Sequence, residues 1–256
     1  MKQNPDKTVR LSVLMPVYNE EKTLERILKK LIALKYVQEV IVVDDCSSDS
    51  SFSIIESQKS PKIKLYRHEK NMGKTAAIKT ALSHASGEII IIQDADLEYD
   101  PDEIWDVIYP IVSGHADVVY GSRFLVKRTS RVLYYFHYIG NKVLTIFSNL
   151  LTNLNMTDIE TCYKAFRSPI LKHLALTSSG FGMEVEITAM VSRLPLRIYE
   201  VPISYYGRTY EEGKKIGMKD GVMAIWYIFY YNIIFPRTRR SREYITNVKK
   251  DLGVDL

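Results

Sequence analysis

The sequence has little cysteine, with Cys46 and Cys162 as the 2 cysteines among 256 residues. They show no metal-ligand spacing, and so few cysteines cannot build the disulfide framework of a small secreted domain. The sequence therefore predicts a reduced, cytosolic protein. We expect both cysteines to act as small filler residues in the packing.

Long hydrophobic runs are also absent. No stretch reaches the roughly 18 apolar residues that a membrane-spanning helix needs, and segment 1–10 is polar, without the apolar centre of a signal peptide. We therefore expect one large domain, or one domain with an appendage. The net charge is +5 and the isoelectric point is near 8.9. This mild excess fits anionic substrates or a membrane surface, and it predicts no nucleic-acid partner.

Two common phosphate-binding loops are missing. Segment 71–75 ends in Gly-Lys-Thr, but His68 stands where a Walker loop has its first glycine, five residues before Gly73. No G-x-G-x-x-G follows the first predicted strand. The sequence leaves two interpretations of Lys74 open, a solvated lysine in a first helical turn or a phosphate contact.

Strands and helices alternate along the chain. Hydrophobic runs predict strands over 11–17, 40–43, 63–66, 89–92, 118–120 and 196–201. Helical spacing and capping residues predict helices over 20–35, 50–59, 74–86, 101–114, 131–151, 182–192 and 220–235. This alternation is typical of an α/β protein, a single Rossmann-like domain with a mostly parallel central sheet flanked by helices.

Three carboxylates follow the most hydrophobic of these strands. Segment 89–92 is four isoleucines, and Asp94, Asp96 and Glu98 come next at alternate positions. If the chain stays extended, the three side chains share one face and need a positive charge between them. A divalent cation with hard oxygen ligands, Mg²⁺ or Mn²⁺, is one answer. The alternative is a solvated acidic loop after the strand.

Five short motifs in register give a resemblance to a known family. They are the loop 16–20, Asp44-Asp45, the segment 71–74, Asp94-Ala95-Asp96 and Gly121-Ser122-Arg123. In this order they resemble glycosyltransferase family 2, which implies the GT-A fold. Later landmarks, at 158–166, Pro202-Ile203 and Arg208 with Lys214, resemble dolichyl-phosphate mannose synthases and related polyprenyl-phosphate glycosyltransferases.

The resemblance implies a donor site made by the first half of the chain. It places Glu20 near the ribose, Asp45 at the base, and a metal ion, Mg²⁺ or Mn²⁺, on Asp94, Asp96 and Glu98. The donor is a nucleotide sugar, with GDP-mannose and UDP-glucose both open. The full set of expected nucleotide-sugar-binding residues is Pro16, Tyr18, Glu20, Val43, Asp45, Lys74, Asp94 and Ala95.

The acceptor decides the subfamily. A phosphate monoester is largely dianionic at neutral pH, so it needs cations to bring it near the donor and no general base. Arginine forks bind phosphate oxygens well. We expect Arg123, Arg208 and Lys214 to take this part beside Asp96 as catalytic residues, with Arg131 as a weaker candidate.

Two other functions remain open on sequence grounds. An acceptor with a sugar hydroxyl would need a general base, for which Asp158 and Glu160 are candidates. A non-catalytic nucleotide-sugar-binding protein is the third interpretation. The structural alternatives are a helix cap at Asp158 and a solvated helix start at Glu184 and Glu186, which we favour for Glu186.

The C-terminal segment has two interpretations. Segment 222–235 is dense in aromatic and aliphatic residues, and four arginines follow within 237–242. It is either a helix at a membrane interface or a core helix followed by a solvated tail. We expect a catalytic domain over 1–217 and an amphipathic helix with a basic tail over 218–256. The expected location is cytoplasmic, peripheral at the inner face of the cell membrane. The sequence predicts no oligomeric state.

Overall fold

The computed structural model describes residues 9–125, 131–132, 134–180, 182–209, 211 and 218–253. These residues contain a sheet of seven strands in the order β3-β2-β1-β4-β6-β5-β7. The described pairs are parallel except those of β6, which runs antiparallel to β4 and β5. The strands are β1 (Leu11–Val17), β2 (Val37–Asp44), β3 (Ile63–Arg67), β4 (Ile89–Ile92), β5 (Val118–Ser122), β6 (Lys164–Arg167) and β7 (Ile198–Pro202). The predicted mostly parallel α/β sheet is confirmed.

Helices cover both faces of the sheet. They are α1 (Leu24–Ala33), α2 (Ser51–Ser57), α3 (Lys74–Ser83), α4 (Ile104–Val112), α5 (Tyr135–Thr152), α6 (Ser168–Lys172), α7 (Gly182–Val191), α8 (Met218–Phe229) and α9 (Arg239–Leu252). The predicted helices are present, with ends that differ by a few residues. The sequence analysis missed α6 and α9.

The core forms two apolar layers because strand residues alternate between the two faces of the sheet. In β4, Ile90 and Ile92 belong to one layer, and Ile89 and Ile91 to the other. The first layer is completed by α3, α5 and the helices after β6, and the second by α1, α2 and α4. All four isoleucines are at most 7% exposed, as expected for a strand covered on both faces.

A buried glutamate, Glu39, links three strands near their amino ends. The Glu39 carboxylate accepts hydrogen bonds from the Ser12 hydroxyl, the Ser86 backbone N–H at 2.7 Å and the Lys64 ammonium. Burial opposes ionisation, but these donors prevail and lower the pKa of Glu39 to about 2. At the same end of the sheet, a side chain on Gly87 would approach the Arg10 carbonyl to 2.6 Å, so glycine is required there.

The C-terminal segment is part of the core. After α8 the chain continues through a π-helical turn, Tyr230–Ile234, and a short 3₁₀ helix, Phe235–Arg237, into α9. Thr238 caps α9 by accepting from the Ser241 backbone N–H, and Tyr244 and Val248, one helical turn apart, are buried. The arginines expected in a solvated tail therefore lie around the start of a packed helix. No helix in the described ranges combines the length and apolar character needed to cross a membrane.

Candidate active site

The site lies at the carboxyl ends of β1, β2 and β4. Strand β1 pairs with β2 on one side and β4 on the other, so the connections leave it in opposite directions. Such a switch point opens a crevice in which α/β sheets bind ligands. Tyr18 and Glu20 follow β1, Asp44 ends β2 and Asp45 follows it, and the carboxylate stretch 94–98 follows β4.

The carboxylate stretch is a turn rather than an extended segment. Strand β4 ends at Ile92, and Leu97 adopts a φ of +59°. This left-handed conformation is rare for a branched side chain, and such strain occurs at functional sites. The expectation that Asp94, Asp96 and Glu98 share one face of an extended chain is therefore wrong. The turn directs Asp94 to Lys74 and directs both Asp96 and Glu98 to Arg208.

Asp94 belongs to a cluster around the start of α3. The Lys74 ammonium lies 2.9 Å from an Asp94 oxygen, 3.4 Å from Glu184 and 2.8 Å from the Cys162 sulfur. Burial would raise the pKa of Asp94, but the Lys74 charge and the hydrogen bonds from Cys162 and Lys74 together outweigh it and lower that pKa. Lys74 is thus an ion-paired residue of the site and not a solvated lysine. Cys162 is not mere filler, because its thiol contacts this ammonium.

Asp96 and Glu98 share a second cation, Arg208, from the loop after β7. The Arg208 guanidinium lies 2.8 Å from an Asp96 oxygen, 3.3 Å from Glu98 and 3.2 Å from Glu20. Glu98 also accepts from the Arg208 backbone N–H and from the Tyr205 hydroxyl, each at 2.9 Å. One guanidinium therefore joins the loops after β1, β4 and β7.

The neighbourhood of Asp96 is short of positive charge despite Arg208. Burial raises the pKa of Asp96 to about 7, and the carboxylates of Asp94 and Glu98 add to this effect. A divalent cation with oxygen ligands fits such a place. In the described part of the chain, no three acidic, cysteine or histidine side chains converge enough to enclose a cation alone. The site fits the partial ligand set that Mg²⁺ commonly takes, one or two carboxylates with phosphate oxygens.

Asp45 fixes the loop that presents Lys74. Its two oxygens accept from the backbone N–H groups of Met72 and Gly73, at 2.9 and 2.7 Å, and one lies 2.6 Å from His68 Nδ1. Gly73 has a φ of +86°, which glycine adopts without strain. The expected contact between Asp45 and the base of the donor stays a prediction. The contacts described here show that Asp45 positions the loop before α3.

Arg123 and Asp158 form a buried, bidentate ion pair. Arg123 Nε and Nη2 each donate to an Asp158 oxygen at 2.7 Å, and the Arg123 backbone N–H donates at 3.1 Å. Asp158 is fully buried. A carboxylate held in this way is not available as a general base, so that hypothesis for Asp158 is wrong, as is a helix cap. The Arg123 guanidinium also lies over the Tyr205 ring, 5.2 Å from its centroid, and Tyr205 belongs to the loop that carries Arg208.

Three glutamates expected near the surface or left open are buried or half-buried. Glu186 is fully buried and accepts from the backbone N–H groups of Thr177 and Ser178, which contradicts the solvated helix start. Glu184 is 3% exposed, and one of its oxygens has no hydrogen-bond partner among the described residues. Burial and the nearby Glu184 raise the pKa of Glu160 to about 8.

The remaining expected residues lie in different environments. Tyr18 is 40% exposed at the crevice, and Pro16 is half-buried beside it. Val43 is fully buried in the core, and its expected nucleoside contact stays a prediction. Ala95 is buried, and its carbonyl accepts from the Thr23 hydroxyl at 2.7 Å. Lys214 lies outside the described residues.

Sequence comparison identifies the family. Residues 12–175 match the sequence model of Glycosyl transferase family 2. A dolichol-phosphate mannosyltransferase of Pyrococcus furiosus is 28% identical over 82% of this chain and 60% of its own length. An undecaprenyl-phosphate mannosyltransferase of Micrococcus luteus is 26% identical over 82% of this chain and 88% of its own. The chain thus spans less than two thirds of the archaeal relative and most of the bacterial one.

Solved structures share the fold. Glucosyl-3-phosphoglycerate synthase of Mycobacterium tuberculosis, in complex with Mn²⁺ and UDP-glucose, superposes with a TM-score of 0.68 at 18% identity, over 88% of this chain and 79% of that one. Mannosyl-3-phosphoglycerate synthase of Rubrobacter xylanophilus gives 0.69 at 16% identity, over 90% and 74%. Both support the GT-A fold. With the family match and the relatives above, the chain belongs to glycosyltransferase family 2 and is an enzyme that transfers a sugar.

Proposed function

We propose that this enzyme moves a hexose from a nucleotide sugar to a polyprenyl phosphate, with inversion at the anomeric carbon. The observation that carries the proposal is the position of Arg208, whose guanidinium contacts carboxylates of three loops at the crevice. Donor diphosphate and acceptor phosphate are both anionic, and a cation between them lowers their repulsion. The polyprenyl-phosphate transferases among the relatives support the same acceptor.

The donor occupies the crevice above β1, β2 and β4. Pro16, Tyr18 and Glu20 face the nucleoside, and the Asp45-held loop presents Lys74 toward the diphosphate. Lys74, ion-paired with Asp94, orients oxygens of that diphosphate. GDP-mannose and UDP-glucose are both donors of the proposed class.

A divalent cation, Mg²⁺ or Mn²⁺, belongs on the carboxylate turn. Asp96, with Glu98 and Asp94 beside it, would hold the ion. When bound, the ion neutralises charge on the leaving nucleoside diphosphate. Burial and then the carboxylates of Asp94 and Glu98 raise the pKa of Asp96, and this supports the assignment because a bound cation would stabilise the ionised carboxylate.

The acceptor phosphate attacks without a base. One of its oxygens forms the bond to the anomeric carbon while the bond from that carbon to the diphosphate oxygen breaks. No proton has to leave, because the phosphate is already largely dianionic. Arg208 holds the phosphate oxygens, Arg123 supports the loop through Tyr205, and Lys214 adds a second charge.

A hydroxyl acceptor is the second candidate, and one observation favours it. Glu160 has an oxygen without a hydrogen-bond partner in the described part of the chain and a pKa of about 8. A carboxyl group with a raised pKa is suited to general base catalysis near neutral pH. Synthases that glucosylate phosphoglycerate have this fold as well. Family membership argues against the third candidate, a non-catalytic binder.

The working enzyme is peripheral to a membrane. We assign catalysis to residues 1–217 and membrane contact to elements that include 218–256, at the cytoplasmic face. A lipid-linked acceptor requires the enzyme to work at that surface.

A donor panel tests the proposal. Radiolabelled GDP-mannose and UDP-glucose are incubated with undecaprenyl or dolichyl phosphate, with and without Mg²⁺ or Mn²⁺. We expect metal-dependent transfer of label into the organic phase. Asp102→Asn, at an exposed acid beyond the same turn, is the matched control for site variants, and it should behave as the wild type. Label that enters only water-soluble products would reject the lipid acceptor and favour the hydroxyl acceptor.

A further inference from the structure

Helices α5 and α8 present one exposed apolar face. They pack against each other, and Val143, Ile146, Leu150 and Ile225 line a shallow groove of about 370 Å³ between them. Phe136 is 86% exposed. The other exposed apolar side chains of the face are Tyr135, Tyr138, Ile139, Val143, Ile146, Leu150, Val222, Met223, Ile225, Trp226 and Phe229. A contiguous patch of this kind marks an interaction surface.

Each of the two helices also has an inward side. Ala224 and Ile228 of α8 are buried, and Thr145 and Ser148 of α5 are buried. Leu144 and Leu151 of α5 pack on the same core layer. The helices are therefore anchored to the sheet by one side, and the exposed apolar residues are not needed to fill the core.

Most of the charges that flank this face along the sequence are basic, and three acidic residues, Glu211, Glu212 and Asp220, come just before segment 221–236. Between Asp117 and Asp158 the chain has no aspartate or glutamate, but it has five arginines and lysines. Segment 221–236 has no charged residue, and four arginines follow before Glu243. An apolar face with mostly basic segments next to it in the sequence is complementary to anionic headgroups above acyl chains. The aromatic residues of the face are types that favour the membrane–water interface.

We propose that the α5–α8 face docks the enzyme on an anionic bilayer surface. The helices lie in the interface, with the apolar side chains at the acyl boundary and the arginines at the headgroups. This surface includes α5, to which the sequence analysis gave no membrane part. The inference deepens the proposed function and rests on it only for the identity of the acceptor.

The face adjoins the candidate acceptor site. Asn141 of α5 accepts a hydrogen bond from Arg123 at 3.4 Å. Just before α5, the Arg131 backbone N–H donates to the Tyr205 carbonyl at 3.0 Å, and its guanidinium donates to the Gly207 carbonyl at 3.2 Å. When this face docks on a bilayer, the loop that carries Arg208 therefore lies at the level of the lipid headgroups.

The two tryptophans supply a built-in test. Trp226 is 51% exposed on the α5–α8 face, whereas Trp105 of α4 packs in the opposite core layer. Trp105→Phe leaves Trp226 as the single reporter, and Trp226→Phe leaves Trp105. Each variant is mixed with vesicles of phosphatidylcholine and phosphatidylglycerol that carry brominated acyl chains. We expect a blue shift and strong quenching of Trp226 emission and little change at Trp105.

Three results would overturn the docking surface. They are equal quenching of the two reporters, quenching of Trp105 alone, and no binding to anionic vesicles. Binding that is as strong to pure phosphatidylcholine would overturn the part assigned to the arginines. A dimer in light scattering that hides Trp226, together with no vesicle binding, would assign the face to a second copy of the chain.

A paired substitution gives an independent measurement. Phe136→Ser with Leu150→Ser removes apolar surface from α5, and Tyr109→Ser with Tyr199→Ser does so at exposed sites elsewhere. In vesicle flotation we expect the first pair to weaken partitioning at least tenfold and the second pair to leave it unchanged. Circular dichroism and thermal unfolding should match the wild type for both pairs. Equal partitioning of the two pairs would overturn the proposal.

The same variants separate docking from the proposed function. Transfer to a water-soluble prenyl phosphate, geranyl phosphate, should be unchanged in the α5 pair, while transfer to vesicle-embedded undecaprenyl phosphate should fall at least tenfold. Vesicle binding is measured without donor. An enzyme that docks through Trp226 but glycosylates neither prenyl phosphate would support the docking face and reject the lipid acceptor.

Discussion

Replacement of Arg208 tests both the carboxylate turn and the acceptor. The guanidinium makes its shortest ion pair, 2.8 Å, with Asp96, and longer ones, 3.2 and 3.3 Å, with Glu20 and Glu98. If the same group holds the phosphate in the reaction, its loss removes at least one charged hydrogen bond. That costs about 1.5–3 kcal/mol, or roughly ten- to a hundredfold in rate. We expect Arg208→Ala to lower kcat/KM for prenyl phosphate by this factor.

Metal binding should change in the opposite direction. Without a guanidinium on Asp96 and Glu98, Mn²⁺ no longer competes with it for the carboxylates. We expect Arg208→Ala to bind Mn²⁺ about tenfold more tightly than the wild type in the absence of nucleotide, since one competing charge-assisted contact is worth on the order of 1.4 kcal/mol. Calorimetry near pH 8 measures this, where Asp96, with a pKa of about 7, is ionised in the wild type.

Two further variants control the experiment. Arg208→Lys should recover only part of the rate, because an ammonium cannot reproduce the planar fork. Arg10 is exposed and pairs with Glu88 at the end of the sheet opposite the site, so Arg10→Ala should have the kinetics and the Mn²⁺ affinity of the wild type. Wild-type kinetics together with unchanged Mn²⁺ affinity in Arg208→Ala would refute the reasoning. The acceptor phosphate would then have to be sought at Arg131.

Three other predictions follow from the same contacts. Asp96→Asn should lower kcat by about a hundredfold or more, EDTA should mimic it, and added Mn²⁺ should restore the EDTA-treated wild type; full activity in EDTA would exclude the metal. Because Glu39 has its pKa lowered to about 2, its ionised form stabilises the fold above pH 4.5 and this contribution disappears as the pH falls through 2. Glu39→Gln should therefore lower the free energy of unfolding by about 2 kcal/mol at pH 7. This is less than the full pKa shift implies, because the lysine partner is 42% exposed. Near pH 2, denaturant unfolding should give the same free energy for the variant and the wild type. Asp158→Ala leaves the Arg123 charge buried without its carboxylate, so we expect the free energy of unfolding, measured with denaturant, to fall by about 3–5 kcal/mol. Near-wild-type stability would contradict the buried ion pair.

Hydrophobic patterning determined most of the fold from the sequence. Buried strands such as the isoleucines of β4 and helical runs such as that of α1 are local signals, and their alternation allows few topologies. Five short motifs then identified the family, because each marks the carboxyl end of a strand or the loop beside it. Helix α9 escaped prediction because half of its residues are charged. Its buried residues are Ser241, Tyr244 and Val248, and Ile245 and Leu252 pack against the core beside them.

The tertiary structure decided which charges meet. Arg208 is 110 residues from Glu98 and 188 from Glu20, and no local pattern pairs residues so far apart. Asp158 had the residue type of a base, but the fold gives it a bidentate partner in Arg123. The left-handed conformation of Leu97 likewise replaced the expected extended face by a turn. Burial and ion pairing depend on neighbours brought together in space. The sequence alone therefore determined the fold and the family, whereas the partners and ionisation of the site residues depend on the packing of loops after β1, β4 and β7.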